Sequence, residues 1–170
     1  MRDPDGESRL TRYSTRLFPC YRFIPGQSPH PRRHPDGHSF GLPEPESPAF
    51  APEQWDRSET YLFAVDLFNF GYWWEAHEGW ESLWHAAGRR TEQASFFRGL
   101  IQLAAAHLKR ETGNTPAALN LTNRALERFR TARPRYMGID VTDLIRAIND
   151  SFFTADPNPV AIRLVASPPG

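Results

Sequence analysis

The sequence predicts an all-α fold: two stacked helical hairpins plus a short fifth helix, with a Pro-rich extended N-terminal arm. Three observations predict it. Ten of the sixteen prolines fall in the first 52 residues. Beyond them, apolar residues recur at helical spacing. The apolar runs are closed by Asn69-Phe70-Gly71, Gly88 and Gly113-Asn114, where a glycine can take the left-handed conformation that ends a helix. At 170 residues, 39% hydrophobic and 13% aromatic, the chain can bury one core. It divides into an extended or partly disordered arm at 1–51, a helical domain at 52–150 and an irregular tail at 151–170.

In the arm, the prolines and the turn dipeptides Pro25-Gly26 and Asp36-Gly37 exclude helices and central strands. Phe18, Tyr21, Phe23, Ile24 and Phe40 supply apolar anchors, so 18–41 is expected to pack better than 1–15. Tyr61, Leu62, Val65 and Phe68 predict a first helix over Glu53 to Phe68, stopped at Gly71. A second helix is expected over Tyr72 to Ala87, and a third over Glu92 to Thr112. The third places Phe96, Phe97, Leu100, Ile101, Leu103, Ala104 and Leu108 on one broad face. Thr115 as N-cap and Pro116 as first helical residue open a fourth helix to Arg130. Asp140 and Asp143 open the fifth, with Val141, Leu144, Ile145 and Ile148. Gly71 followed by Glu75-Ala76 is echoed 42 residues later by Gly113 followed by Ala117-Ala118, which implies the two hairpins. The small residues Ala76, Gly79 and Ala118 permit close helix approach.

Net charge is zero and the pI about 7.0, so overall charge attracts neither nucleic acid nor an anionic membrane. Cys20 is the one cysteine, which excludes an intrachain disulfide and a Cys-based zinc cluster and fits a reducing, cytoplasmic location. The first twenty residues have acidic side chains and no apolar core, so no secretory signal is expected. The longest nearly apolar run, Leu100 to Leu108, is far short of the roughly 20 residues that span a bilayer. Charge is segregated within the core: 53–94 hold eight acidic and three basic residues, 95–146 four acidic and nine basic. The two halves are expected to attract each other. Arg124, Arg128, Arg130, Arg133 and Arg135 gather near the end of the fourth helix, where the dipole favours cations. A solvated basic end is the plain reading, and an RNA or phosphate contact the alternative.

The second helix concentrates the chemistry. At 100° per residue with Glu75 at zero, His77, Glu81, His85 and Glu78 fall between about 200° and 300°, and Trp73, Trp80 and Trp84 between about 140° and 180°. One face is acid and imidazole, flanked by indole. His77 with Glu81, and Glu81 with His85, are four apart and can share one ion, a donor set that suits zinc, manganese or iron. His107, in the apolar stripe of the third helix, is placed to face them. The candidate metal ligands are therefore His77, Glu81, His85 and His107. The candidate ligand-binding residues are Trp73, Glu75, Glu78, Trp80, Trp84 and Gln102. The structural alternative is that His77 and His107 are core histidines hydrogen-bonded to Glu78 or Glu81. His30, His34 and His38 are also spaced by four, but Pro29, Pro31, Pro35 and Gly37 forbid a helix there. An extended arm can still bring His30 or His38 over the second helix. Nothing resembles a nucleophile elbow, a phosphate-binding Gly-rich loop or a Cys nucleophile motif.

The order Glu75-Ala76-His77-Glu78-x-x-Glu81-x-x-Trp84, then Gly99-Leu100-Ile101-Gln102, then Glu111-Thr112-Gly113-Asn114 before an Ala-rich helix, resembles the domain-of-unknown-function 309 family over residues 61–130. The resemblance implies an all-helical fold and brings no reaction, cofactor or catalytic residue with it. Residues 25–41 look like a Pro/His arm that precedes this domain in some relatives. Gly71 to Ala76 is similar to the opening of a tetratricopeptide repeat's second helix, but the 34-residue period is absent. His77-Glu78-Gly79-Trp80-Glu81 looks like the metalloprotease motif H-E-x-x-H with its last His replaced by Glu, a departure that removes one of the two imidazoles the motif needs. Function is thus expected to be binding of a small ligand or divalent metal at a Glu/His/Trp-lined site. The alternatives are a helical-hairpin module for a protein partner or self-association, and RNA or phosphate binding by the arginines.

Overall fold

The structure, a computed structural model, describes residues 10–154 and 158–165. Five α-helices follow one another: α1 (Glu59–Asn69), α2 (Trp73–Ala86), α3 (Glu92–Glu111), α4 (Thr115–Thr131) and α5 (Val141–Phe153). Each of α1 to α4 packs on the next, and α5 packs on α4. The expected mostly helical fold, with a proline-rich arm before it, is what the chain forms.

The first helix begins later than its apolar spacing predicts. Pro52–Arg57 is a separate 3-10 helix, with Gln54 off helical geometry at φ −102°, ψ 19°. Ser58 then caps α1, its side chain accepting from the Tyr61 N–H, and an N-cap residue is by construction outside the helix it opens. Similarly, the cap of α4 is Asn114 and not Thr115, because the Asn114 side chain accepts from Ala117 N. Asp140 caps α5 as expected, accepting from Asp143 N at 3.1 Å.

The repeat-like echo has a backbone cause. After α1, Gly71 N donates to Phe68 O at 3.1 Å and Tyr72 N to Leu67 O at 2.8 Å. After α3, Gly113 N donates to Arg110 O at 3.0 Å and Asn114 N to Lys109 O at 2.9 Å. Both are the paired closure that needs a left-handed residue, and Gly71 and Gly113 have φ of 83° and 79°. Small residues set the helix spacing as expected: a Cβ on Gly79 would stand 3.2 Å from the Ala64 Cβ, and one on Gly99 2.7 Å from the Phe129 ring.

The core is aromatic, with Tyr61, Phe68, Trp80, Phe96, Phe97 and Phe129 fully buried. Between α4 and α5 a two-residue hairpin, β1 (Arg135–Tyr136) and β2 (Ile139–Asp140), pairs antiparallel. Its turn holds Met137 at φ 45°, fixed by the Tyr61 hydroxyl donating to Met137 O at 2.9 Å. The segment after α5 returns to the body: Asn69 brackets Ile162, donating to its O at 2.8 Å and accepting from its N at 2.7 Å. No helix among the described residues is long and apolar enough to cross a membrane.

Candidate functional site

The arm crosses α1, α2 and the end of α3, held by carboxylates from all three. Asp66, fully buried on α1, accepts from Arg12 Nε at 2.9 Å and from the backbone N–H groups of Tyr13 and Ser14, both at 2.8 Å. Glu75 Oε1 accepts from Phe23 N at 2.8 Å and from His38 Nε2 at 3.0 Å. Glu78 Oε2 accepts from Arg32 Nε at 3.0 Å. Glu111 receives both terminal nitrogens of Arg22, at 2.8 and 3.3 Å. A buried carboxylate must be paired and hydrogen-bonded to remain charged, and the arm supplies those donors. It therefore docks earlier in the chain than expected, from Arg12 onward; residues 1–9 lie outside the described residues.

The charge segregation of the core is answered mainly by this arm. Glu92 and Arg133, at 3.1 Å, form an ion pair between the acidic and basic halves, whereas Asp66 and Glu78 take Arg12 and Arg32.

Of the predicted site residues, His77, Glu78 and Glu81 are brought together. One ligand atom from each lies within 4.8 Å of the other two. His77 Nδ1 stands 3.9 Å from Glu78 Oε1 and 3.8 Å from Glu81 Oε2, too far for hydrogen bonds. Nδ1 is nevertheless shielded from solvent and has no hydrogen-bond partner among the described residues. The two carboxylates stand within ion-pairing distance of His77, outside hydrogen-bonding distance. Glu78, Glu81 and the exposed His85 also line one hollow of about 180 Å³ with Glu44, Pro45 and Ser82.

The other candidates lie elsewhere. His107 is fully buried, stacked on Trp73 at 5.0 Å and edge-on to Phe68 and Phe152. Arg110 donates to its Nδ1 at 3.1 Å. Burial first, and the Arg110 charge second, lower its pKa to about 3, so the imidazole is neutral with its proton on Nε2. His107 is a core residue that does not join His77. Gln102 faces α4, its Oε1 accepting from Arg128 Nε at 3.1 Å. Trp80 is fully buried against Phe68, and Trp73 is buried by His107. Trp84 is half-buried, with Arg98 at 5.5 Å from its ring. The indole edge is core, as α2 must bury one side against α1 and α3.

Sequence reasoning missed Asp66, Arg12, Arg22 and Arg32. A signal was present: residues 10–38 contain five arginines against one aspartate, the complement of the acidic stretch that follows. Within the arginine cluster, Arg128 is engaged by Gln102 and Ser95 and Arg133 by Glu92. Arg135 lines a cleft of about 460 Å³ together with Trp55, Tyr136 and Asp140.

Residues 61–121 match the model of a family described as Domain of unknown function (DUF309). The resemblance read from the sequence thus stands over α1, α2, α3 and the first turns of α4. None of the curated proteins matches the chain. His77, Glu78 and Glu81 fall inside the matched segment; the arm, with Arg32 and His38, falls outside it.

Proposed function

We propose that the protein binds one divalent transition-metal ion through His77 Nδ1, Glu78 Oε1 and Glu81 Oε2. The observation that carries this reading is the solvent-shielded, unpartnered His77 nitrogen facing two carboxylate oxygens at 3.8 and 3.9 Å. A polar atom so placed needs a partner, and a cation bridging all three would supply it.

Ligands bound at about 2.0–2.2 Å sit roughly 3–3.5 Å from one another, so modest rotation of the two glutamates closes the site. Glu81 is 43% exposed at its side chain and free to make that rotation. Arg32 holds Glu78 by Oε2, which leaves Oε1 for the ion and supplies the outer hydrogen bond that ligating carboxylates usually keep. Two carboxylates and one imidazole suit zinc, manganese or iron. The remaining positions are open to water, to His85 on the next turn, or to a substrate oxygen.

Metal analysis of tag-free protein, loaded with zinc or manganese and then dialysed, tests the reading. Retention of about one equivalent, lost in Glu81→Ala with the helical circular dichroism unchanged, is expected. Retention below about 0.2 equivalents, or equal retention by the variant, overturns it.

A further inference from the structure

Arm and α2 meet at the edge of the proposed metal site. Glu44 and Pro45 of the arm, with Glu78, Glu81, Ser82 and His85 of α2, line one hollow of about 180 Å³. The chain on both sides of Glu44 is tied to α2. Upstream, Arg32 donates from Nη1 to the carbonyls of Leu42 and Pro43, at 3.3 and 3.2 Å, and from Nε to Glu78 Oε2 at 3.0 Å. Downstream, the hydroxyls of Ser47 and Ser82 are 2.8 Å apart. Pro43 and Pro45 fix their own φ and hold Leu42 and Glu44 away from helical geometry, so this short span is stiff.

Glu44 differs from its neighbours in the hollow in having nothing to hold it. Glu78 is bonded to Arg32, and the His85 ring packs on Trp84 with centroids 4.8 Å apart. The exposed Glu44 carboxylate has neither a hydrogen bond nor an ion pair among the described residues. Glu44, Glu78 and Glu81 thus share the hollow, and Arg32 is the sole Arg or Lys paired with any of them among the described residues. Like charges gathered in this way oppose one another's ionisation unless a cation joins them. Glu46, two residues on, lines the neighbouring hollow with Glu75 and Gly79 instead.

We propose that Glu44 is the fourth ligand of the ion, beside His77, Glu78 and Glu81, and that the ion clamps the arm to α2, an inference that rests on the metal site proposed for those three residues. Glu44 is not among the atoms already gathered within 4.8 Å and joins them by rotation of its free side chain. His77 Nδ1, shielded and unpartnered among the described residues, marks where the ion sits. Zinc takes four ligands, oxygen and nitrogen at about 2.0–2.2 Å, and a site whose positions are all filled by protein groups is a structural one. Here it joins a segment outside the matched family domain to a helix within it. Because linkage is reciprocal, the factor by which the docked Glu44 strengthens zinc binding is the factor by which zinc holds the arm docked.

Competition of the full, tag-free chain with a chromophoric chelator for zinc tests this, together with tryptic cleavage after the exposed Arg33 in the presence and absence of zinc. Zinc is expected to slow cleavage of the wild-type arm. Glu44→Gln is expected to weaken zinc at least about tenfold, the loss that even outer-shell partners cause, and to remove the slowing. Glu46→Gln, the same change of charge on the other hollow, is expected to do neither. Glu44 and Glu46 are both exposed, so neither variant threatens the fold. Equal effects of the two variants on zinc affinity, a loss in His85→Ala with none in Glu44→Gln, or cleavage of the wild-type arm at one rate with and without zinc overturns the clamp and leaves the site of His77, Glu78 and Glu81 standing. A wild type that binds no zinc overturns both.

Discussion

Replacing His107 with Phe should remove a large part of the protein's sensitivity to acid. The imidazole lies among Trp73, Phe68 and Phe152 with Arg110 on its Nδ1, and its pKa is lowered from 6.5 to about 3. A histidine held neutral in the fold opposes acid in one direction only. Above pH 6.5 both states are neutral and the shift contributes nothing; below it the unfolded chain takes up a proton that the folded chain refuses, so stability falls as pH drops towards 3. With those two values the loss between pH 7 and pH 5 is about 2 kcal/mol. Phe fills the same stacked position, and Arg110 keeps the Ser151 carbonyl at 2.8 Å. Urea unfolding of wild type and His107→Phe at both pH values isolates the effect, because every other titrating group is common to the two proteins. The wild type should lose about 2 kcal/mol more than the variant, a difference in midpoint shift of roughly 1 M urea. Equal losses would show that His107 is protonated in the fold, and the account of its site would fail.

Other outcomes follow from the same geometry. Asp66→Ala removes the acceptor of three hydrogen bonds; it should destabilise the protein by about 3 kcal/mol and expose the arm to limited proteolysis before the helices are cut. Arm cleavage at the wild-type rate would contradict its role as the arm's anchor. Gly99→Ala sets a Cβ 2.7 Å from the buried Phe129 ring and should cost about 1–3 kcal/mol in thermal or urea unfolding, whereas a neutral result would mean that α3 and α4 are less closely packed. Gly71→Ala, at φ 83°, should cost about 1 kcal/mol or more without affecting metal retention.

Helix existence and order were legible because the apolar stripes and the Gly71 and Gly113 closures are local signals. Boundaries were not, where capping overrode periodicity: Ser58 and Asn114 take up the first free N–H groups of α1 and α4, and no apolar count shows that. The hairpin around Met137 escaped because its strands are two residues long and its turn carries Met, not Asn, at the left-handed position. At the site, helical angles alone placed His77, Glu78, Glu81 and His85 on one arc, of which the structure brings ligand atoms of His77, Glu78 and Glu81 within 4.8 Å of one another. The same angles could not place His107, whose fate depends on how α3 meets Trp73 and α5. Nor could they show that Asp66, Glu75, Glu78 and Glu111 bind the arm, since those contacts join residues 37 to 89 positions apart. The complementary charge of the arm and the helices was the readable trace of that docking.

The proposed metal site turns on one atom, His77 Nδ1, and long-range nitrogen–proton correlation of the imidazole side chains during zinc addition reads it directly. His77 Nδ1 is expected to move to the shift of a metal-bound nitrogen while His38 and His107 keep their metal-free positions, and Glu81→Ala to abolish the change. Zinc-dependent shifts at His107 or His38 with His77 unmoved, or binding through His77 Nε2, would contradict it.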